Sequence, residues 1–158
     1  FRTPSLGELA RAWKVLAVGT AAYVAVAAAT FVVMDLLRFE WRWQEVVDVV
    51  RTAESVWVLV LVCLLAVVIA PFVEEMVFRS VLYLPLRSRL GVVPAALIVS
   101  AAFAAVHGYA RGTAQLAVLS LIFIALFERT GTLWAPIVAH GLYNGLTILV
   151  IRTILPSG

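Results

Sequence analysis

Residues 56 to 70 read VWVLVLVCLLAVVIA, fifteen apolar residues without a break. A helix that is apolar all round is buried in a large core or faces lipid, because it leaves no stripe for water. The chain continues as PFVEEMVFRSVLY, which puts Pro71, Glu74, Glu75 and Arg79 on the same segment. Extended through those residues, the segment passes the roughly 20 residues needed to cross a bilayer. Composition points to the bilayer: 64% of the 158 residues are apolar and 13% charged, against roughly 45–50% and about 25% in soluble domains. The expected fold is all-α, a polytopic transmembrane helix bundle with about five spans. A net charge of +3 reads as loop charge at lipid headgroups. No basic run or aromatic-interleaved patch suggests a nucleic-acid partner.

The expected spans are Trp13 to Leu37, Val56 to about Leu84, Val92 to about His107, Thr113 to Phe127 and Leu133 to Ile151. Between the first two, RFEWRWQEVVDVVRTAES spaces Trp43, Val46, Val47 and Val50 at three- and four-residue intervals with charges between. That spacing fits an amphipathic helix in the interface, with Trp41 and Trp43 at headgroup level, or an ordinary solvated connecting helix. Turn signals lie in SRLGVVP, after His107 in GYARG, and in RTGTLWAP. The chain divides into residues 1–55, a first span with its interfacial segment, and 56–158, a helical core. Basic residues leave orientation open. Arg2, Arg11, Lys14, Arg87, Arg89 and Arg129 fall on one side, and Arg38, Arg42, Arg51, Arg111 and Arg152 on the other. A first residue of Phe1 rather than methionine is expected of a processed or trimmed chain. The apolar run Val15 to Met34 is too long for a typical cleavable signal and reads as a membrane helix. The single cysteine, Cys63, has no internal disulfide partner and reads as a small apolar residue.

Charged side chains at a helix centre in the membrane cost about 2.5–3.5 kcal/mol each on insertion scales, so those present are expected to have partners and a purpose. Glu75 and Arg79 stand four apart with the acid first, the favourable order for an ion pair on one helical face. Glu74 is turned about 100 degrees away from Glu75, toward a different neighbour. The chain has two histidines. His107 closes AAFAAVHG one turn after Phe103, and His140 lies in WAPIVAHGLYNG with Asn144 four residues on, on the same face. Either histidine alone reads as a helix-packing contact; beside an intramembrane glutamate and an asparagine, they read as a site. Residues 74 and 107 are equidistant from Leu90–Gly91, where a hairpin turn is expected. Antiparallel helices would then hold Glu74 and His107 at similar depth, roughly 20–25 Å from the turn. His140 and Asn144 lie about 13 and 19 Å from the turn near Gly131 by the same rise. Pro71 and Pro136, each just upstream of a polar cluster, are expected to kink their helices and absorb the remaining offset.

Hydrolysis is the chemistry that such a group allows. A glutamate in an apolar site can act as general base toward water, and a histidine beside it can hold that water or relay its proton. A second histidine and a carboxamide can donate hydrogen bonds to the oxyanion of a tetrahedral intermediate. The rival is a metal site, with Glu74, His107 and His140 as zinc ligands. The chain lacks H-E-x-x-H, so such ligands would come from separate helices. Ser100 and Ser120 have no G-x-S-x-G around them and read as helix-packing residues. Asp35 and Asp48 lie outside the core spans, which excludes a paired-aspartate mechanism.

EEMVFR fits E-E-x-x-x-R, FAAVH fits F-x-x-x-H and HGLYN fits H-x-x-x-N, in that order on successive apolar segments. The chain therefore resembles the CPBP family, also called Abi or CAAX-protease-like, of intramembrane endopeptidases. It includes the Rce1-type enzymes that trim prenylated CAAX proteins. The resemblance covers about Val56 to Ile151. It implies that Glu74 activates water with His107, that His140 and Asn144 position the carbonyl and stabilise the oxyanion, and that Glu75 and Arg79 hold Glu74 in place. It implies a peptide or lipidated-protein substrate, contact with membrane lipids, and a multi-pass location in a prokaryotic plasma membrane. The family has been classed both as metalloendopeptidases and as glutamate-dependent enzymes. The expectation here is no cofactor, with zinc as the alternative. Some relatives are associated with bacteriocin immunity, so a non-catalytic scaffold keeping the fold is the second reading. A proton or ion pathway is a third; polar residues strung through the bilayer would mark it, whereas these gather at one depth.

Overall fold

A computed structural model describes residues 5–38, 45–108 and 112–154 of the chain. Among the described residues the structure is helical throughout: α1 (Leu6–Leu36), α2 (Glu45–Thr52), α3 (Val56–Leu90), α4 (Val92–Val106), α5 (Thr113–Thr130) and α6 (Trp134–Ile154). Lipid explains the uniformity. No water is present in hydrocarbon to satisfy backbone N–H and C=O groups, so a spanning segment closes its hydrogen bonds internally.

Four helices, α1, α3, α5 and α6, are long and apolar enough to cross a membrane. The segment expected as the third span is α4, which has 15 residues. At 1.5 Å per residue it reaches only about 22 Å. Its start is set by Gly91, which joins α3 to α4 at φ 83, a conformation that side-chain-bearing residues rarely adopt. The expected turn at Leu90–Gly91 is therefore where the chain reverses. Trp41 and Trp43, with Arg2, Arg42 and Arg111, lie outside the described residues, as does the side chain of Val46. Of the expected amphipathic stripe, Val50 on α2 is buried at 1% exposure, while Asp48 and Val49 are exposed.

The chain forms two compact units. The first contains α1, the part of α3 from Glu75 onward, α4 and α5. Helix α1 opens on a reciprocal cap: Glu8 N–H donates to the Ser5 hydroxyl at 3.3 Å, and Ser5 N–H donates to Glu8 Oε2 at 2.7 Å. It then packs along α5. The core of this unit is Phe78, Tyr83, Ala95, Ala96, Val99, Phe103 and Ile124. Small Ala95 and Ala96 let α4 lie close to the aromatic rings, and Phe78 meets Phe103 edge to face with centroids 5.0 Å apart. Near the α3–α4 turn, Arg87 grips Glu128 of α5 with Nε 2.8 Å from Oε1 and Nη2 3.0 Å from Oε2. The buried Tyr83 hydroxyl donates to Glu128 Oε1 at 3.1 Å.

The second unit contains α2, α3 as far as Glu74, and α6 from Ile137. Arg152 near the end of α6 donates to the carbonyls of Val50, Arg51 and Ala53 at 3.2–3.4 Å. Val50 and Arg51 belong to the last turn of α2, whose carbonyls have no donor further along the helix, and a cation there also suits the helix dipole. The face formed by Trp57, Val60, Leu61, Leu64, Leu65 and Val68 is exposed. In water this would be an aggregation surface; in a bilayer it is the lipid contact.

Candidate active site

The arrangement follows from an irregularity in α3. Between α-helical stretches its backbone widens twice into π-helical turns, at Leu64–Ile69 and Met76–Tyr83. The Ala70 N–H bonds to Leu65 O and the Leu84 N–H to Arg79 O, each five residues back rather than four. Such turns re-aim the side chains that follow and occur often at functional sites. The α-helical turn between them, Ala70–Glu75, carries Pro71, Glu74 and Glu75.

In the first unit, Glu75 and Arg79 are both fully buried, with Nε 2.9 Å from Oε2. Arg79 Nη2 turns to α5 and donates to the Ser120 carbonyl at 3.1 Å and to its hydroxyl at 3.3 Å. The guanidinium carbon lies 5.4 Å from the ring centroids of both Phe103 and Phe123. A buried cation is thus held by a carboxylate, a carbonyl, a hydroxyl and two π faces, each of which offsets part of its desolvation. His107 ends α4, its ring against Phe103 with centroids 4.6 Å apart. Its Nδ1 is 2.7 Å from the Phe103 carbonyl, which can only accept, so Nδ1 carries a proton. In the neutral ring the lone pair then sits on Nε2.

In the second unit, His140 is 3% exposed, and its Nε2 lies 3.8 Å from Glu74 Oε2. Asn144, one turn further along α6, donates from Nδ2 to the Ala66 carbonyl at 2.8 Å. Gly141 brings the two helices close: a Cβ there would collide with the Val67 carbonyl oxygen. Backbone cannot yield as a flexible side chain can, so Gly141→Ala should lower the melting temperature by about 5–10 °C in detergent, as expected for an overpacking loss of about 2–3 kcal/mol. Thermal unfolding followed by circular dichroism checks it. Pro136 does not act as the expected kink. It lies in the first turn of α6, where a missing N–H breaks no helical bond.

Glu74, His140 and Asn144 thus come together in one unit, while Glu75, Arg79 and His107 belong to the other. Among the described residues, no group of three or more His, Cys, Asp or Glu side chains is placed to hold a metal ion. Ser120 and Phe123 emerge only in the fold, as supports of Arg79.

A family model described as "Type II CAAX prenyl endopeptidase Rce1-like" matches residues 55–146. The chain belongs to this family. The matched stretch holds all seven residues of the three motifs and ends two residues after Asn144. The Rce1-like chain is also 27% identical over 113 residues to "Putative membrane peptidase YdiL" of Bacillus subtilis (strain 168). That alignment covers 72% of this chain and 43% of the relative, so the chain spans less than half the relative's length. No solved structure matches it significantly.

Proposed function

We propose that this chain carries the catalytic core of an intramembrane endopeptidase, acting on a membrane-associated or lipidated protein or peptide in a prokaryotic plasma membrane. In this reading Glu74 takes a proton from a water molecule as the water oxygen attacks the scissile carbonyl carbon. His107 accepts a hydrogen bond from the same water through Nε2, its Nδ1 proton being fixed on Phe103. His140, with Asn144 beside it, donates to the oxyanion that forms. Collapse breaks the C–N bond, and the proton taken by Glu74 passes to the departing amine. The buried Glu75–Arg79 pair holds the helix from which Glu74 projects. Low polarity around the site strengthens each of these interactions over its worth in water.

The observation that carries this reading is the meeting of Glu74 with a buried His140, 3.8 Å apart, on two motif-bearing helices of a membrane protein. The test is cleavage of fluorogenic peptides, with and without a farnesyl group, by protein in liposomes before and after exhaustive chelation, with metal analysis alongside. Cleavage should survive metal removal. Loss that zinc restores would instead assign Glu74, His107 and His140 as ligands. Absence of cleavage of every probe would favour the scaffold reading.

A further inference from the structure

We infer that Asn144 is a positioning residue: its carboxamide supplies the hydrogen bond that Pro71 removes from α3, and so fixes the wide turn ahead of Glu74. The backbone register requires a substitute donor. Ala70 N–H goes to Leu65, five residues back. Continued by one residue, the same register would send the N–H of residue 71 to the Ala66 carbonyl. Residue 71 is a proline, fully buried, and has no N–H to give. In ordinary α register the donor to Ala66 would be Ala70, whose N–H is already on Leu65. The helix thus leaves the Ala66 carbonyl without a donor of its own, and no water in hydrocarbon takes that place. Asn144 Nδ2 lies 2.8 Å from that oxygen.

A second observation marks the same seam. Gly141, three residues before Asn144 and on the same face of α6, lies against the neighbouring Val67 carbonyl with no room for a Cβ. Helix α6 is therefore seated on two adjacent carbonyls of the π-helical turn, one by close approach and one by a hydrogen bond. His140 precedes Gly141 in the chain, and Glu74 lies three residues beyond Pro71. The contact that sets the spacing of α3 and α6 thus lies beside His140 on α6 and about two turns before Glu74 on α3, the two members of the 3.8 Å pair. One amide proton of Asn144 is committed to Ala66. Loss of the side chain would release the turn before it removed anything from a substrate.

This inference rests on the endopeptidase reading for its catalytic consequence but not for its structural one, and a double-mutant cycle separates the two. Asn144→Ala should lower the melting temperature by roughly 3–6 °C. It should also reduce kcat for a fluorogenic peptide about tenfold or more, with KM little changed. Pro71→Ala restores an N–H at residue 71, so the double variant Pro71→Ala/Asn144→Ala should regain most of both losses. If Asn144→Ala fails to fold, folding of the double variant supports the inference equally. An Asn144→Ala loss in kcat undiminished in the Pro71→Ala background would overturn it, because the carboxamide would then act on the oxyanion. An unchanged melting temperature for Asn144→Ala would overturn it as well. The stability arm needs no substrate, so it decides the inference even if no peptide is cleaved.

Discussion

Replacement of Glu74 by glutamine should reduce peptide cleavage by about 10²–10⁴-fold, the range associated with loss of a positioned general base. Glutamine keeps the length and shape of the side chain but cannot take a proton from water. The loss should therefore fall on kcat rather than on folding, with thermal unfolding close to wild type. Glu74→Asp sharpens the test. It keeps the carboxylate but withdraws it by about one C–C bond, and an ångström of misplacement at a reacting centre can cost about 10²-fold. Measured in liposomes on the same peptide, the order of activity should be wild type, then aspartate, then glutamine. Equal cleavage by wild type and Glu74→Gln would remove Glu74 from the chemistry and leave the His140 contact as helix packing.

The sequence makes the bundle readable because the bilayer filters so strictly. Runs such as Val56 to Ala70 have one stable home, and a glycine between Leu90 and Val92 marks the reversal. The buried ion pair is readable too, since Glu75 and Arg79 stand at helical spacing in an apolar segment, with Glu74 turned about 100 degrees away. What the letters do not carry is backbone register. LLAVVI, residues 64–69, forms π-helical turns, yet its composition is that of any apolar helix. The bond from Asn144 to Ala66 ends on a carbonyl, which every residue has, so nothing at position 66 advertises it. Pro71 is the one available signal, read from sequence as a kink when its consequence is a carbonyl in search of a donor. Ser120 is similar: it packs between helices as expected, and its carbonyl and hydroxyl serve Arg79 as well. Helix α4 is the shortest of the expected spans, with 15 residues against the roughly 20 typical of a crossing.

Arg79→Met should be the most destabilising single change in the first unit. Methionine fills similar volume between Phe103 and Phe123, so the loss would come from charge rather than from a cavity. Glu75 would keep a carboxylate at zero exposure without its cation. Breaking a buried pair from one side costs about 3–5 kcal/mol. At roughly 2–4 °C per kcal/mol for a chain of this size, the melting temperature should fall by about 6–20 °C. Arg79→Lys should lie between, because an ammonium can meet Glu75 but lacks the planar fork that reaches Ser120 at the same time. The double variant Glu75→Gln/Arg79→Met removes both charges together and should recover a large part of the loss. That recovery distinguishes an unpaired carboxylate from damaged packing. Cleavage should fall in Arg79→Met and return only partly in the double variant, since a neutral pair no longer fixes the turn of α3 next to Glu74. A melting temperature in Arg79→Met within a degree or two of wild type would show that the pair does not hold α3 in place.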